Sequence, residues 1–166
     1  LTRGRITTGL LKIVGGAAVA FVLVAQTEAV SSKRILADAV LIALAANLGN
    51  LLDRAPGRVV KYGLIAWVPI ALVAGDAGVA IAPVVGAFAG LRGDDLRERV
   101  MLGDTGANVL GAVLGLAVVI DVGRGPRNAV LVGLIVLNLA AELLSFTSVI
   151  ERVPPLRWFD RLGRTP

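Results

Sequence analysis

The polar residues best spaced for chemistry are Asn47, Asn50 and Asp53, in the stretch Asn47-Leu48-Gly49-Asn50-Leu51-Leu52-Asp53. Residues three apart on a helix step about 60° around its axis. The two amides and the carboxylate therefore share one stripe at the end of an apolar run. Amide and carboxylate oxygens suit Mg²⁺ or the hydroxyls of a sugar. The same groups can instead cap a helix end and bond between helices. A second stretch is Met101-Leu102-Gly103-Asp104-Thr105-Gly106-Ala107-Asn108, directly before another apolar run. Backbone N–H groups at a helix start bind phosphate, and a carboxylate beside them can hold a bridging metal. Alternatively, Asp104 or Thr105 is only a cap. Lys12, Arg58 and Lys61 flank apolar runs and are the right groups for phosphate; for any single one of them ordinary charge flanking of membrane spans is the simpler explanation. Asn138 and Glu142 lie one turn apart inside the last run. An acid at such a place is costly and is either functional or a paired residue lining the bundle.

The elements that position these residues are apolar runs at about 13–25, 35–52, 62–74, 77–91, 109–120 and 129–150. A span needs about 20 residues, so several runs reach that length only with flanking polar residues such as Asn47, Asn50 and Asn108. The expected fold is all-α: a polytopic transmembrane bundle of about six spans, with residues 1–166 forming one integral-membrane domain. With the N-terminal side taken as inside, the inner segments hold Arg3, Arg5, Lys12, Arg54, Arg58, Lys61, Arg92, Arg97, Arg99, Arg152, Arg157, Arg161 and Arg164, which is 13 of 17 basic residues. That bias places both ends in the cytoplasm and the protein in the inner (plasma) membrane. It also directs attention to the inner links, 53–61 and 92–108. Asp38 is expected near the outer interface, and Asp94, Asp95 and Glu98 in a solvated loop. The tail, Leu156-Arg157-Trp158-Phe159-Asp160-Arg161-Leu162 after Pro154-Pro155, reads as an interfacial segment with an aromatic anchor.

Composition removes other classes. Hydrophobic residues make up 56% and charged residues 17%, against about 25% charged in a soluble domain. There is no Cys and no His, which excludes thiolate chemistry and the commonest general base. Aromatics at 4% are too few for base stacking, so no nucleic-acid partner is expected. The net charge of +5 is read as membrane topology.

Taken together the motifs resemble the polyprenyl-phosphate sugar-1-phosphate transferases, glycosyltransferase family four, which includes the phospho-N-acetylmuramoyl-pentapeptide transferases. Thr8-Gly9-Leu10-Leu11-Lys12 resembles the family's Thr/Ser…Lys element. Asn47-x-x-Asn50-Leu51-x-Asp53 resembles its N-x-x-N-x-x-D-G-x-D-G loop. Gly86-Ala87…Gly90 with Met101-Leu102-Gly103-Asp104-Thr105-Gly106 resembles G-A-x-x-G…F-M-G-D-x-G-S, and Leu110-Gly111 continues it in register. Glu142-Leu143-Leu144-Ser145 is similar to the E-x-x-S of the penultimate span. The resemblance covers most of the chain. It implies ten spans in a full member, of which this sequence would supply about the fourth to the ninth. With Leu1 first and Met101 the sole Met, the expectation is a portion lacking the N-terminal spans.

The resemblance also implies an activity: Mg²⁺-dependent transfer of a sugar-1-phosphate from a UDP-sugar to polyprenyl phosphate, in peptidoglycan or other cell-wall glycan synthesis. By the same resemblance Asp104 is a Mg²⁺ ligand and Asp53 a second ligand, both catalytic. Asn47 and Asn50 orient Asp53 and the sugar-phosphate; Lys12, Arg58, Lys61, Gly103, Thr105 and Gly106 hold phosphates. The sequence departs from the family in lacking the D-D-x-x-K aspartate pair and the histidine-rich last loop. Pro56 stands where the loop's second acid would be. Two alternatives follow: a catalytically degenerate relative that binds polyprenyl lipid or scaffolds a complex, and a small transporter subunit built on Asn138 and Glu142. Self-association is left open.

Overall fold

The computed structural model describes residues 31–164, together with Ala18 and Val22. Those two residues, both helical, are the described part of the first apolar run, and Lys12 lies outside the described residues. Among the described residues there are eight helices and no strand: α1 Ser32–Leu52, α2 Arg58–Val73, α3 Gly75–Ala80, α4 Ala82–Leu96, α5 Gly103–Asp121, α6 Arg124–Leu143, α7 Phe146–Arg152 and α8 Pro154–Arg161.

Three of these, α1, α5 and α6, are long and apolar enough to cross a membrane. The 21 residues of α1 rise about 31 Å, matching a hydrocarbon core of about 30 Å. The 16 residues of α2 rise only about 24 Å. The run 77–91 is not one helix. It breaks at Ile81, between α3 and α4, where Pro83 occupies the first turn of α4 and has no N–H to continue the preceding ladder. The run 129–150 also divides. Helix α6 stops at Leu143, Leu144 and Ser145 are extended, and the Ser145 hydroxyl accepts the Ser148 N–H at 3.4 Å to start α7. A serine hydroxyl that can satisfy an orphan donor favours such a start.

The axis of the bundle is the contact between α1 and α5. Gly111 and Gly115 on α5 face Ala45 and Ile42 on α1, while Gly49 on α1 faces Ala107 on α5. A Cβ at Gly49 or Gly111 would overlap the carbonyl oxygen of Ala107 or Ala45. Small residues four apart let membrane-type helices touch along their backbones and gain dispersion contacts. Around this seam one apolar cluster gathers Leu41, Ile42, Val118, Val119 and Leu134, and a second gathers Val59, Val60, Val85, Leu110 and Leu114. Helix α6 is the least enclosed: only Leu134 and Asn138 are buried, and Val132, Val136 and Leu139 point outward.

The helices run alternately between two ends. At one end Asp38 is bonded to Arg34 and Arg127, Arg34 reaches Asn128, and Asp121 accepts the Ala77 N–H. At the other end lie Asp53, Gly57, Asp95, Gly103 and the C-terminal tail. Asp38 lies at the end of the bundle opposite Asp53, and its carboxylate is enclosed rather than open. It is 2% exposed, because two guanidinium groups converge on its carboxylate.

The seam makes a direct prediction. Gly111→Ala should lower stability in detergent by about 1–3 kcal/mol, the usual cost of overpacking. Gly133→Ala, at an α6 glycine with open space around it, should be neutral or stabilising by up to about 1 kcal/mol from helix propensity. Thermal unfolding of the two variants checks this, and equal effects would contradict the close approach.

Candidate functional site

The site sits where α1 ends and α5 begins. The chain leaves α1 at Asp53, whose N–H still bonds to the Gly49 and Asn50 carbonyls at 3.1 and 3.2 Å. Because α1 and α5 are antiparallel across the glycine seam, Asp53 arrives beside the first turn of α5. Gly103 takes φ 62° there, a conformation that glycine adopts without a Cβ penalty. Its N–H faces the Asp53 carboxylate and favours the charged form. Asp104 follows in that turn and is exposed.

Half-buried Asp53 has its pKa raised, first by burial and then by the negative charges of Asp95 and Asp104, against the lowering effect of the Gly103 hydrogen bond. Asp95 is the group that sequence reasoning placed in solvent. It is instead buried at the end of α4, where it accepts the Gly57 N–H at 3.0 Å. Burial raises its pKa; the Gly57 bond and the charges of Arg164 and Lys61 pull the other way. Asp94 pairs with Arg99 on the surface, and Glu98 is exposed. Gly57 takes φ 67°, and a Cβ there would strike Leu96. This glycine lets the loop turn tightly into α2 while presenting its N–H to Asp95.

The basic residues behave differently from expectation. Arg58 is 1% exposed and makes a two-pronged pair with Asp160, at 2.7 and 3.0 Å, and a bond to the Thr147 hydroxyl at 2.9 Å. Lys61, 4% exposed, donates to the backbone carbonyls of Phe159, Asp160 and Leu162. These cations are spent on the tail rather than offered to a phosphate. The reason is geometric: α8 folds back over the start of α2, and its buried carboxylate needs compensating charge. Burial alone would raise the pKa of Asp160. The hydrogen bond and charge of Arg58, with Arg164 and Lys61, outweigh it and hold that pKa down. Lys61 is lowered, by burial first and then by Arg164, partly offset by Asp160.

Asn47 also has another partner. Its amide donates to Asn138 Oδ1 at 2.7 Å, and Asn138 donates to the Leu44 and Leu134 carbonyls at 3.2 and 2.8 Å. Asn47 and Asn138 thus bind α1 to α6. The polar pair is Asn47–Asn138, and Glu142 lies exposed on the rim of a cavity. That cavity, about 270 Å³, opens at the break between α6 and α7 and is lined by Arg54, Glu142, Ser145 and Thr147 among apolar neighbours. Asn50 is partly exposed one turn before Asp53, and Thr105 is exposed beside Asp104. Gly106 packs over Leu102.

Sequence reasoning missed Asp95, Asp160 and Arg164. Arg164 bonds to Asp160 at 2.6 Å and to the Pro56 carbonyl at 3.1 Å, so it ties the tail to the 53–57 loop. The i,i+4 spacing of Asp160 and Arg164 was the available signal. Among the described residues no three His, Cys, Asp or Glu groups converge to hold a metal. Asp53 and Asp104 offer two carboxylates, which suits Mg²⁺, an ion usually held by one or two carboxylates with water and phosphate oxygens.

Fold and site define an all-helical bundle with three helices able to span a membrane and a carboxylate-bearing loop cluster at one end. Comparison with family models, curated proteins and solved structures finds no match.

Asp160→Asn tests the tail lock. It leaves Arg58 buried without its counter-charge, which typically costs about 3–5 kcal/mol, so hydrogen-exchange protection of α8 should collapse. Glu142→Gln, at an exposed site, should change it by no more than about 0.5 kcal/mol. The pH sign follows from the lowered Asp160 pKa: its contribution is present above the unfolded carboxylate value and is lost as pH falls through the folded one. Protection of α8 that persists in Asp160→Asn would contradict the lock.

Proposed function

We propose that this chain belongs to an integral membrane protein that transfers a sugar-1-phosphate from a UDP-sugar to polyprenyl phosphate at the cytoplasmic face. The observation that carries the reading is that Asp53, where α1 ends, lies at the same end of the bundle as the first turn of α5, which carries Asp104, and that the basic inner segments gather there. Three helices long and apolar enough to span, and the outward apolar surface of α6, support the membrane placement; about six spans with both termini inside are part of the proposal and rest on the distribution of Lys and Arg.

In this reading an oxygen of the lipid phosphate bonds to the sugar-linked phosphorus. The bond from that phosphorus to the bridging oxygen breaks, and UMP leaves with the electron pair. Phosphoryl transfer of this kind depends on positioning and charge neutralisation, so histidine is not required. Asp104 and Asp53 would hold Mg²⁺, which when bound would neutralise charge on the phosphate oxygens. Gly103, Thr105 and Gly106 form the backbone around the phosphate, and Asn50 orients Asp53. Arg58 and Lys61 act through the fold, holding the tail against the loop. The phosphate contact passes to Arg54, exposed on the same loop and lining the cavity at the α6–α7 break.

A second reading is a relative that binds polyprenyl lipid or scaffolds an envelope complex without turnover. The burial of Arg58 and Lys61 and the presence of Pro56 in the acidic loop favour it. One experiment separates the two. The protein, expressed with whatever coding sequence precedes Leu1 in its gene, is given UDP-sugar, polyprenyl phosphate and Mg²⁺. Transferase activity predicts UMP release that falls by about 100-fold or more in Asp104→Asn and Asp53→Asn, the scale of losing one transition-state stabiliser. Lipid binding without UMP release, unchanged in Asp104→Asn, selects the second reading and rejects the first.

A further inference from the structure

Helix α8 has two unlike faces. Its inner face is locked: Asp160 on Arg58, and Phe159 edge-on to Tyr62 with ring centroids 5.6 Å apart. The Lys61 ammonium lies 5.8 Å from the centre of the Phe159 ring. Its outer face carries Arg157, Trp158 and Arg161, followed by Leu162, all exposed, with Trp158 67% accessible. These residues, with Pro154 and Gly163, line a shallow concavity of about 460 Å³. The lock fixes the height of α8. Arg58 and Lys61 open α2, and Arg164 holds the Pro56 carbonyl, just beyond the end of α1 at Leu52. Helix α8 therefore lies level with the end of an apolar helix of membrane-spanning length.

We infer that the outer face of α8 is an interfacial docking surface for the anionic phospholipid headgroups of the bilayer around this protein. The inference rests on the membrane reading above. Charge complementarity selects the occupant: Arg157 and Arg161 suit phosphodiesters, and a positive surface segment gains affinity from an anionic leaflet. Trp158 supplies an amphipathic ring of the kind enriched at headgroup depth. A soluble protein partner would not require this face to sit level with the end of α1. The buried Arg58–Asp160 pair then has a purpose beyond holding the tail, since it fixes the depth and rotation at which the arginines meet the lipid.

The chain's two tryptophans, Trp67 in α2 and Trp158 in α8, allow a test with an internal control. Trp67→Phe and Trp158→Phe each leave a single fluorophore. Each variant of the full chain is reconstituted in vesicles of phosphatidylcholine alone or of equimolar phosphatidylglycerol and phosphatidylcholine. Bromine quenchers are placed high on the acyl chain or near its end. The expected result is that Trp158 is quenched mainly by the high bromines and more strongly with phosphatidylglycerol. Arg157→Gln combined with Arg161→Gln should reduce that quenching severalfold. If Trp67→Phe does not fold, the Trp158 signal is obtained by subtracting the Trp158→Phe response from that of the unsubstituted protein. Quenching of Trp67 without quenching of Trp158 overturns this inference and leaves the membrane reading standing. Quenching of neither overturns both. Quenching of Trp158 that ignores phosphatidylglycerol and both arginine substitutions overturns the assignment to anionic headgroups.

Discussion

The backbone contact between α1 and α5 is the constraint on which the rest of the structure depends. Gly49, Gly111 and Gly115 remove the side chains that would hold the two helices apart. Helices whose lipid-facing surfaces are as apolar as their surroundings gain little from hydrophobic burial, so close packing must supply the attraction. The seam is antiparallel and close, so the end of α1 and the start of α5 share one level. Asp53 then lies beside the Gly103 N–H, which favours its charged form, while the nearby charges of Asp95 and Asp104 oppose it. The polar end of the bundle is thus a consequence of small residues that carry no chemistry themselves.

A second layer of organisation is ionic. Arg58 joins α2, α7 and α8 through Thr147 and Asp160, and Arg164 joins the tail to the Pro56 carbonyl. Such a buried network contributes less net stability than its contact list implies, because desolvating each charge offsets much of the attraction. Its visible effect is on placement: the same contacts hold α8 against α2 and α7. The same network leaves Asp95 bound to Gly57 and so fixes the loop that begins with Asp53.

Much of the fold was legible because membrane-type sequences declare their long helices through composition. The runs 35–52 and 109–120 lie within α1 and α5. The runs 77–91 and 129–150 were less legible. In them the break is set by local chemistry at Pro83 and Ser145, and average hydropathy does not register it. At the site, two short motifs, one closing the run 35–52 and one preceding the run 109–120, marked the segments that carry Asp53 and Asp104. The fates of Arg58, Lys61 and Asn47 did not follow from sequence. A buried cation and a surface cation look alike until their partners are known, and those partners, Asp160 and Asn138, lie about 90 to 100 residues away along the chain. Long-range polar pairing leaves no periodicity to read.

The glycine seam brings Asp53 to an end of the bundle where burial and the negative charges of Asp95 and Asp104 raise its pKa. The most direct measurement is a carbon-13 titration of the Asp53 carboxyl in detergent micelles, alone and in Asp95→Asn and Asp104→Asn. The expected midpoint lies above the ordinary aspartate value of about 3.9 and moves down when either neighbour is neutralised. A midpoint at the ordinary value, or one that neither substitution moves, would contradict it.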